Sequence, residues 1–275
     1  MLAALGDLVE DVVVHLTGPV QQASDTPARI VRRRGGSAAN VVEAAAGLGH
    51  PARFLGQVGS DAIGTALIDE LSRLGVDVRW VQRGGGTGTI VVLVDEHGER
   101  SMLPDRGACV ELSDPHRSWL DDVSTLHVPF YSLSDPPLAE TASTLIGWAH
   151  ELGVVVSIDV SSSALIAEIG AARVIDQLEV LRPRVVFANR DEAAALDIRG
   201  PLAGAVTVVK RGSQPVEVFV DHERVTVPVP SLEHVTDTTG AGDAFAAGYL
   251  TSSDVTVRAA VEAGCRAAAR LITSR

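Results

Sequence analysis

Lysine, cysteine and long apolar runs are scarce in this sequence, and each scarcity excludes a class of protein. Lys210 is the sole lysine, so the Gly-Lys dipeptide of a Walker-type phosphate loop does not occur. The two cysteines, Cys109 and Cys265, have no CxxC spacing, which offers no zinc site and favours a reducing compartment. The longest apolar runs, such as Val154-Val-Val, are far too short to cross a bilayer. We therefore expect a cytoplasmic protein without a membrane partner.

Positive charge is also in deficit, because the formal net charge is -12. A general nucleic-acid binder needs a basic surface that neutralises phosphates, so this balance argues against a nucleic-acid partner. The only local basic cluster is Arg32-Arg33-Arg34. Three adjacent arginines are more often a solvated strand edge or turn than a nucleic-acid patch, and we interpret them in that way.

Short β-like runs alternate with helical stretches along most of the chain, which predicts an α/β fold with a mostly parallel sheet. The predicted core strands are Phe54–Val58, Val78–Gln82, Thr125–Val128, Val154–Ile158, Val185–Ala188 and Val206–Lys210. The predicted helices lie near 39–48, 62–74, 137–152, 190–197, 242–251 and 255–272. A length of 275 residues favours one large domain with a small appendage.

Two regions interrupt this alternation. Residues 12–16 and 29–34 have the pattern of strands with no helix between them. Residues 89–94 lead through the turn Asp95-Glu-His-Gly98 into a return strand at 100–103, which predicts a hairpin. We expect a small antiparallel sheet, inserted into the α/β domain from about 11–34 and 87–105.

The segment from Asp237 to Gly248 carries the strongest chemical signal, since a Gly-Ala-Gly turn opens there into an Ala-rich helix. Small residues let the backbone approach a ligand, and the N–H groups of a helix N-terminus face an anion. Gly240-Ala241-Gly242 is therefore predicted to stabilise charge on a transferred phosphoryl group, with Asp243 as acceptor of a hydroxyl proton. Helix capping is the structural alternative for Asp243, and the Thr-Thr-Gly-Ala-Gly ahead of it favours the catalytic role.

A dinucleotide-binding fingerprint is a competing interpretation of the same glycines. That fingerprint needs Gly or Ala three residues after Gly242, where this chain has Phe245. The segment also lies near the C-terminus without a following βαβ half. We exclude a Rossmann dehydrogenase on those grounds.

Two features near the N-terminus are suited to bind hydroxyl groups. Gly35 and Gly36 precede a predicted helix and permit close backbone contact, although a plain turn has the same pattern. Asn40 follows them and can both donate and accept hydrogen bonds. Asp11, five residues after Gly6, suits bidentate binding of a diol, although a lone Asp is usually solvated.

Two further segments lie where predicted core strands end, the edge at which open α/β sheets bind ligands. In Asn189-Arg-Asp-Glu192, Asn189 can cap a helix with Glu192 as its capping-box partner. The functional alternative is that Glu192 organises Mg²⁺-bound water near phosphates. In Lys210-Arg-Gly212, backbone and positive charges are placed to meet the phosphates of a nucleotide.

Taken together, these segments resemble the ribokinase-like sugar kinase family of the phosphofructokinase-B type, which also includes nucleoside kinases. The resemblance covers nearly the whole chain and includes Leu55-Gly-Gln-Val-Gly59-Ser-Asp61-Ala-Ile-Gly64, Leu71-Ser-Arg-Leu-Gly-Val-Asp77 and the segments above. It implies a three-layer α/β/α core with a mostly parallel sheet and a small β-sheet lid, in a single kinase domain over residues 1–275. It implies ATP and Mg²⁺ as cofactors.

The resemblance also implies a role for each segment. Asp243 matches the catalytic base, and Gly240, Ala241 and Gly242 match the anion hole. The positions that match substrate-hydroxyl residues are Asp11, Gly35, Gly36 and Asn40. The positions on the nucleotide and phosphate side are Asn189, Lys210, Gly212 and Thr239, with Glu192 in the Mg²⁺ motif. The inserted strands resemble a lid that closes over the sugar and that often supports dimerisation in the family. The apolar strand Thr89–Val94 suits a homodimer formed through the lid, although an amphipathic strand that only covers the site has the same pattern.

This sequence departs from the family pattern at several places. Pro215 follows Gly212 where a Gly-x-x-Gly step is usual, Lys210 replaces a frequent Thr, and Asp159-Val-Ser-Ser-Ser replaces Asp-x-Asn-x-Arg. The chain stops at Arg275, where many relatives continue through a loop that borders the adenine and helps form a monovalent-cation site beside Asp237 and Thr239. We therefore expect no potassium activation in its usual form, and a more open adenine pocket.

The predicted function is transfer of the γ-phosphoryl group of MgATP to a hydroxyl of a sugar or sugar-like molecule. A nucleoside kinase is the alternative within the family, and the five Phe, three Trp and two Tyr offer few rings to stack a base. A sugar-binding or regulatory protein with impaired catalysis is the alternative outside it. The intact Asp243 segment argues against that third hypothesis, since a pure binder has little need of an acid there.

Overall fold

An eight-stranded sheet runs through the centre of the computed structural model, which describes residues 1–221, 223–232, 235, 237–252 and 256–274. In spatial order, with labels numbered along the chain, its strands are β14 (Glu223–Val227), β13 (Gln214–Val220), β12 (Val206–Arg211), β11 (Val185–Asn189), β10 (Val155–Asp159), β9 (Thr125–Pro129), β1 (Leu2–Leu5) and β4 (Ala52–Leu55). The six strands from β12 to β4 pair in parallel, and β13 and β14 are antiparallel. The predicted mostly parallel α/β fold is therefore confirmed.

Helices cover both faces of this sheet and complete three layers. They are α1 (Ser37–Gly47), α2 (Ala62–Arg73), α3 (Leu138–Glu151), α4 (Ser163–Ile169), α5 (Ala171–Leu181), α6 (Arg190–Ala195), α7 (Ala241–Leu250) and α8 (Val257–Thr273). One buried cluster joins the sheet to α1, α2, α7 and α8, and a second joins it to α3, α4 and α5. Along β11, Val185 and Phe187 belong to the first cluster and Val186 and Ala188 to the second, as the twofold period of a strand requires.

A second sheet of four strands contains the segments predicted to form the lid, and it is called the lid below. Its strands are β2 (Val9–Leu16), β3 (Ala28–Gly35), β7 (Thr87–Val94) and β8 (Arg100–Gly107), in the spatial order β3-β2-β7-β8. The central pair, β2 with β7, is parallel, with Val12 opposite Val91. The prediction of an antiparallel sheet is wrong for that pair, because the two hairpins come from distant parts of the chain and join through their first strands.

The side chain of Asp61 connects the lid to the core. It caps α2 by accepting from the Gly64 N–H at 2.8 Å. It also accepts from the Thr87 N–H at 2.8 Å and the Thr87 hydroxyl at 2.6 Å, which fixes the first residue of β7. At the other entry, β3 runs through Gly36 directly into α1, so lid and core share a continuous segment there.

Several predicted elements differ from the structure. Val78–Gln82 is not a core strand, since the chain makes one bridge from Asp77 to Arg53 and then leaves the sheet. Phe54–Val58 divides at Gly56, where a Cβ atom would lie 2.6 Å from the Gly6 carbonyl oxygen. The strands β5 (Gln57–Val58) and β6 (Gln82–Arg83) form a separate parallel pair.

The sequence analysis also missed elements that the structure contains. The helix α4, which the Ser162 hydroxyl caps, was not predicted. The helix α5 and the hairpin of β13 and β14 were missed as well. Val255, the predicted start of the last helix, lies outside the described residues. Among the helices of the described residues, none has the length and apolar character needed to cross a membrane.

Candidate active site

Most of the predicted site residues lie at the edge of the main sheet where three parallel strands end and two helices begin. Asp159 ends β10, Asn189 ends β11, and Lys210 is the penultimate residue of β12. The helices α1 and α7 begin at Ser37 and Ala241 on the same edge. The carboxyl ends of parallel strands are where open α/β sheets bind ligands. The topology therefore gathers segments that are up to about two hundred residues apart in the sequence.

Asp243 lies in the first turn of α7, and α1 holds its carboxylate. The Ser37 hydroxyl donates to Oδ1 at 2.7 Å, and the Asn40 amide Nδ2 donates to Oδ2 at 2.8 Å. The residue that caps α7 is Gly240, so Asp243 is not the cap. Burial raises the pKa of Asp243 to about 6, although the hydrogen bonds from Ser37 and Asn40 lower it. A carboxylate fixed in this way, with a pKa near neutrality, is suited to accept a proton.

The turn before Asp243 has the conformation that the glycine pattern predicts. Gly240 is left-handed, with φ at 75°, and the Ala241 N–H closes the turn by donating to the Thr238 carbonyl at 3.0 Å. The N–H groups of Gly242 and Asp243 are then the ones that the helix geometry directs toward a ligand. The Ala241 N–H is itself engaged within that turn, and the role of Ala241 in an anion hole stays a prediction.

The glycine pair ahead of α1 is required by close backbone contacts. A Cβ atom on Gly35 would lie 2.1 Å from Asp11 Oδ1, and one on Gly36 would lie 2.1 Å from the Asp7 carbonyl oxygen. Gly36 also has φ at 103°, which side chains disfavour. Asp11 is 7% exposed, and burial raises its pKa against the lowering effect of Arg33 and Arg34. The pair therefore brings the start of α1 against Asp11.

A cluster of buried charges lies behind the turn. The Lys210 ammonium is 2.5 Å from Asp159 Oδ2, and a Cβ atom on Gly242 would lie 3.2 Å from the same nitrogen. The charges of Lys210 and Asp159 both act on Asp243. Lys210 therefore places a positive charge beside the first turn of α7.

Asn189 and Glu192 form the capping box that the sequence allows. Glu192 accepts from the Asn189 N–H at 2.7 Å and from its amide Nδ2 at 2.6 Å, and Asn189 Oδ1 accepts from the Asp191 and Glu192 N–H groups. Glu192 is 2% exposed, and burial, aided by repulsion from Asp159, raises its pKa to about 7. This structural role is present whether or not Glu192 also organises metal-bound water.

Two lid arginines contact the loop that leads into the anion hole. Arg100 donates to Asp237 Oδ1 at 2.9 Å and to the Thr239 hydroxyl, and Arg33 donates to Asp237 Oδ2 at 3.3 Å. Burial would raise the pKa of Asp237, but hydrogen bonds from Thr239 and Arg100 outweigh it and hold the pKa well below its usual range. The lid is thus joined to this loop in the structure.

The remaining predicted positions have less direct contacts. Gly212 is left-handed, with φ at 62°, in the tight turn between β12 and β13. Thr239 donates its N–H to Asp237 Oδ1 at 2.8 Å. Neither residue is brought against Asp243 by a hydrogen bond among the described contacts.

The sequence analysis missed the role of Ser37 and misjudged the arginine cluster. Ser37 lies three residues before Asn40, a spacing that places both on one face of α1 and could have identified it. Of the three arginines, only Arg32 matches the solvated interpretation, with its side chain 63% exposed and paired with Glu10. The side chain of Arg34 is 5% exposed.

Comparison with known proteins gives a consistent result. The model of the pfkB family of carbohydrate kinases matches residues 1–275. An ATP-dependent ribose-1-phosphate kinase of Halopiger xanaduensis is 33% identical, over 80% of this chain and 75% of that protein. A fructokinase of Salmonella typhimurium is 28% identical, over 90% of this chain and 82% of that protein.

Solved structures agree with the fold. Adenosine kinase from Sinorhizobium meliloti superposes with a TM-score of 0.84 at 26% identity, covering 99% of this chain and 93% of that one. A sugar kinase from Pyrococcus horikoshii, solved with ATP, superposes with a TM-score of 0.85 at 23% identity, covering 100% and 93%. The likeness to the second structure concerns the fold alone.

Proposed function

This chain belongs to the pfkB family of carbohydrate kinases and is an ATP-dependent kinase of that family, and we propose that Asp243 is the base that activates its acceptor hydroxyl. The acceptor is a hydroxyl of a sugar or sugar-like molecule. The observation that carries the proposal is the Asp243 carboxylate, held by Ser37 and Asn40 at the mouth of a glycine turn. The whole chain acts as a single kinase domain with the four-stranded sheet as its lid.

In this mechanism the acceptor oxygen forms a bond to the γ-phosphorus of ATP as the bond from that phosphorus to the β,γ-bridging oxygen breaks. The acceptor proton passes to the Asp243 carboxylate. The N–H groups at the start of α7 and the Lys210 ammonium stabilise the charge on the transferred group. Asp11 and Gly36 are the proposed contacts for other hydroxyls of the acceptor.

The charge balance of the site fits a magnesium ion held through water. Asp159, Glu192 and Asp243 interact electrostatically around the single ammonium of Lys210, so negative charge is in excess. Among the described residues, no group of three or more acidic, His or Cys side chains is arranged to hold a metal directly. Mg²⁺ prefers carboxylate oxygens and water as ligands, and a bound ion would offset the negative charge of the phosphates. We propose Glu192 and Asp159 as the residues that hold its water ligands, with Asn189 positioning Glu192.

The two alternatives are a nucleoside kinase and a catalytically impaired binder. The likeness to adenosine kinase supports a nucleoside acceptor. The ribose-1-phosphate kinase and the fructokinase among the relatives support a sugar or sugar phosphate instead. A catalytically impaired binder lacks such support, because Asp243 keeps two donors and a raised pKa that binding alone does not need.

Three finer properties belong to the same proposal. The lid exposes Ile30, Met102 and Leu103 by 59%, 60% and 54%, which supports a homodimer formed through it and checked by light scattering. The Arg100 guanidinium contacts Asp237 and supports activity without potassium, checked by assay in potassium-free buffer. Both cysteines are free and buried, which supports a cytoplasmic location.

The test is ATP consumption with a panel of sugars, ribose 1-phosphate and nucleosides, in the parent and in Asp243→Asn. We expect turnover with one acceptor class, and a loss of about 10²–10⁴-fold in kcat in the variant with little change in acceptor affinity. Asp69→Asn, on the exposed side of α2, is the matched control and should keep full activity. Near-parental turnover in Asp243→Asn would remove the base from the mechanism. Binding of an acceptor without turnover in the folded parent would favour the impaired binder.

A further inference from the structure

Arg34 carries a buried guanidinium next to the residues that hold the base. Its Nη1 donates to Asn40 Oδ1 at 3.0 Å, and its Nη2 donates to Glu43. Its Nε lies 3.4 Å from Glu70 Oε1. Glu43 is on α1 and Glu70 on α2, so the guanidinium is held between the two helices by carboxylates that are themselves 40% and 42% exposed. Its position is therefore set by two hydrogen bonds and by the nearby charge of Glu70, since the buried Nε makes no hydrogen bond among the described residues.

The chemistry of an amide makes the contact with Asn40 directional. An Asn side chain has an acceptor end and a donor end, whereas a guanidinium only donates and a carboxylate only accepts. Asn40 lies between one of each, with Oδ1 toward Arg34 and Nδ2 toward Asp243. Turning the amide over would set donor against donor and acceptor against carboxylate, and both hydrogen bonds would be lost.

We infer that Arg34 is a positioning residue, which fixes the amide of Asn40 with Nδ2 toward Asp243 and thereby orients the base for proton transfer. The inference rests on the proposed role of Asp243. It also adds to the role of Asn40, whose Nδ2 serves the base while its Oδ1, which accepts from Arg34, keeps a second lone pair for an acceptor hydroxyl.

The same contact affects the acidity of the base. The groups that act on Asp243 are Ser37 and Asn40 from α1, Asp159 from β10 and Lys210 from β12. The hydrogen bond from Asn40 favours the ionised carboxylate. When Arg34 no longer fixes the amide, that bond is only partly populated, and the acid limb of the rate profile moves to higher pH.

The kinetic experiment uses Arg34→Met and Arg34→Lys, with Arg32→Met as matched control. Arg32 lies on the same strand with its side chain 63% exposed and paired with Glu10. With the acceptor that the panel identifies, we expect Arg34→Met to lose about tenfold in kcat, with a smaller change in KM and an acid limb at higher pH. Arg34→Lys should recover part of the loss, and Arg32→Met should stay within about twofold of the parent. Equal rates in Arg34→Met and Arg32→Met would refute the inference.

A double-mutant cycle shows whether Arg34 acts through Asn40. In an Asn40→Ala background the amide is gone, so Arg34→Met should cost little more. A full tenfold further loss in that background would refute the relay and leave Arg34 as a general structural residue. Should Arg34→Met fail to fold, Arg34→Lys takes its place in the cycle, because it keeps the charge between the helices while lacking the planar fork.

A measurement without turnover separates this inference from the proposed function. The carboxyl carbon of Asp243 is assigned in ¹³C spectra by its absence in Asp243→Asn, and its pKa is titrated in the parent and both Arg34 variants. A higher pKa in Arg34→Met supports the relay even if Asp243→Asn proves active and the proposed base is wrong. An unchanged Asp243 pKa in both Arg34 variants would refute the relay even if Asp243 is the base.

Discussion

Replacing Gly36 by alanine tests how the glycine pair builds the site. Gly36 has φ at 103°, and a Cβ atom there would lie 2.1 Å from the Asp7 carbonyl oxygen and 2.6 Å from its carbonyl carbon. Both atoms belong to the backbone, so no side chain can turn away. A backbone with this positive φ costs an alanine about 1–3 kcal/mol, and the forced backbone shift adds about 1–3 kcal/mol. We expect Gly36→Ala to lower the free energy of unfolding by about 3 kcal/mol.

A matched control is available at the other end of the same helix. Gly47 is the last residue of α1, and a Cβ atom there meets nothing within 4 Å. Gly47→Ala should stabilise the protein by about 0.5–1 kcal/mol, because alanine loses less backbone freedom in a helix. Melting temperatures should then differ in sign, with Gly36→Ala lower by about 5–10 °C and Gly47→Ala unchanged or slightly higher.

Activity should separate the two variants as well. Ser37 follows Gly36 directly, and its hydroxyl is 2.7 Å from Asp243 Oδ1. A displacement of about 1 Å at a catalytic group can cost about 10²-fold in rate, so folded Gly36→Ala should lose kcat while Gly47→Ala keeps it. Scanning fluorimetry and steady-state kinetics of both variants decide the matter. If Gly36→Ala melts within about 1–2 °C of the parent, its free energy of unfolding has changed by less than about 1 kcal/mol, and the reasoning is refuted.

Three further outcomes follow from the charges and caps of the structure. Because burial raises the pKa of Asp243 to about 6 and the base must be ionised, kcat/KM should fall as pH drops through about 6; a rate that stays level down to pH of about 5 would contradict this. Asp61→Ala loses the cap of α2 and the bonds to Thr87, and should lower the free energy of unfolding in urea by about 1–2 kcal/mol. Hydrogen bonds from the α2 backbone and Thr87 lower the pKa of Asp61 to about 2. The stability difference between the parent and Asp61→Ala should therefore be complete at neutral pH and should vanish as pH falls from about 4 toward 2. Lys210→Met leaves the buried Asp159 carboxylate without its ammonium partner and should lower the free energy of unfolding by about 3–5 kcal/mol. The double variant Lys210→Met with Asp159→Leu should recover part of that loss. Equal stability of the single and double variants would argue against a stabilising ion pair.

The sequence predicted the parts of this fold that depend on local pattern. The Gly-Ala-Gly turn before Asp243 and the Asn189-x-x-Glu192 capping box are short-range signals, and the structure contains both. The apolar run at Val154–Ile158 likewise indicated a buried parallel strand, found at Val155–Asp159. Each of these features is encoded within about ten residues, which is why a single sequence reveals it.

The errors arise where the neighbours of a segment decide its structure. Val78–Gln82 has an apolar pattern typical of a strand, but β4 already forms the edge of the main sheet and offers one bridge, to Asp77, before the chain turns away. Arg33 and Arg34 have the composition of a solvated edge. They are drawn inward because β3 leads into α1 and faces the acids of the site, including Asp237. No local pattern contains that information.

The continuous segment from β3 into α1 links the lid to the base. Arg33 at the end of the lid strand contacts Asp237 in the loop ahead of the anion hole, and Arg34 contacts Asn40. The glycine pair follows at once, and then come Ser37 and Asn40, which hold Asp243. Any movement of the lid that draws on β3 must therefore pass through the residues that orient the base. We therefore expect lid closure and the orientation of Asp243 to be coupled through this segment.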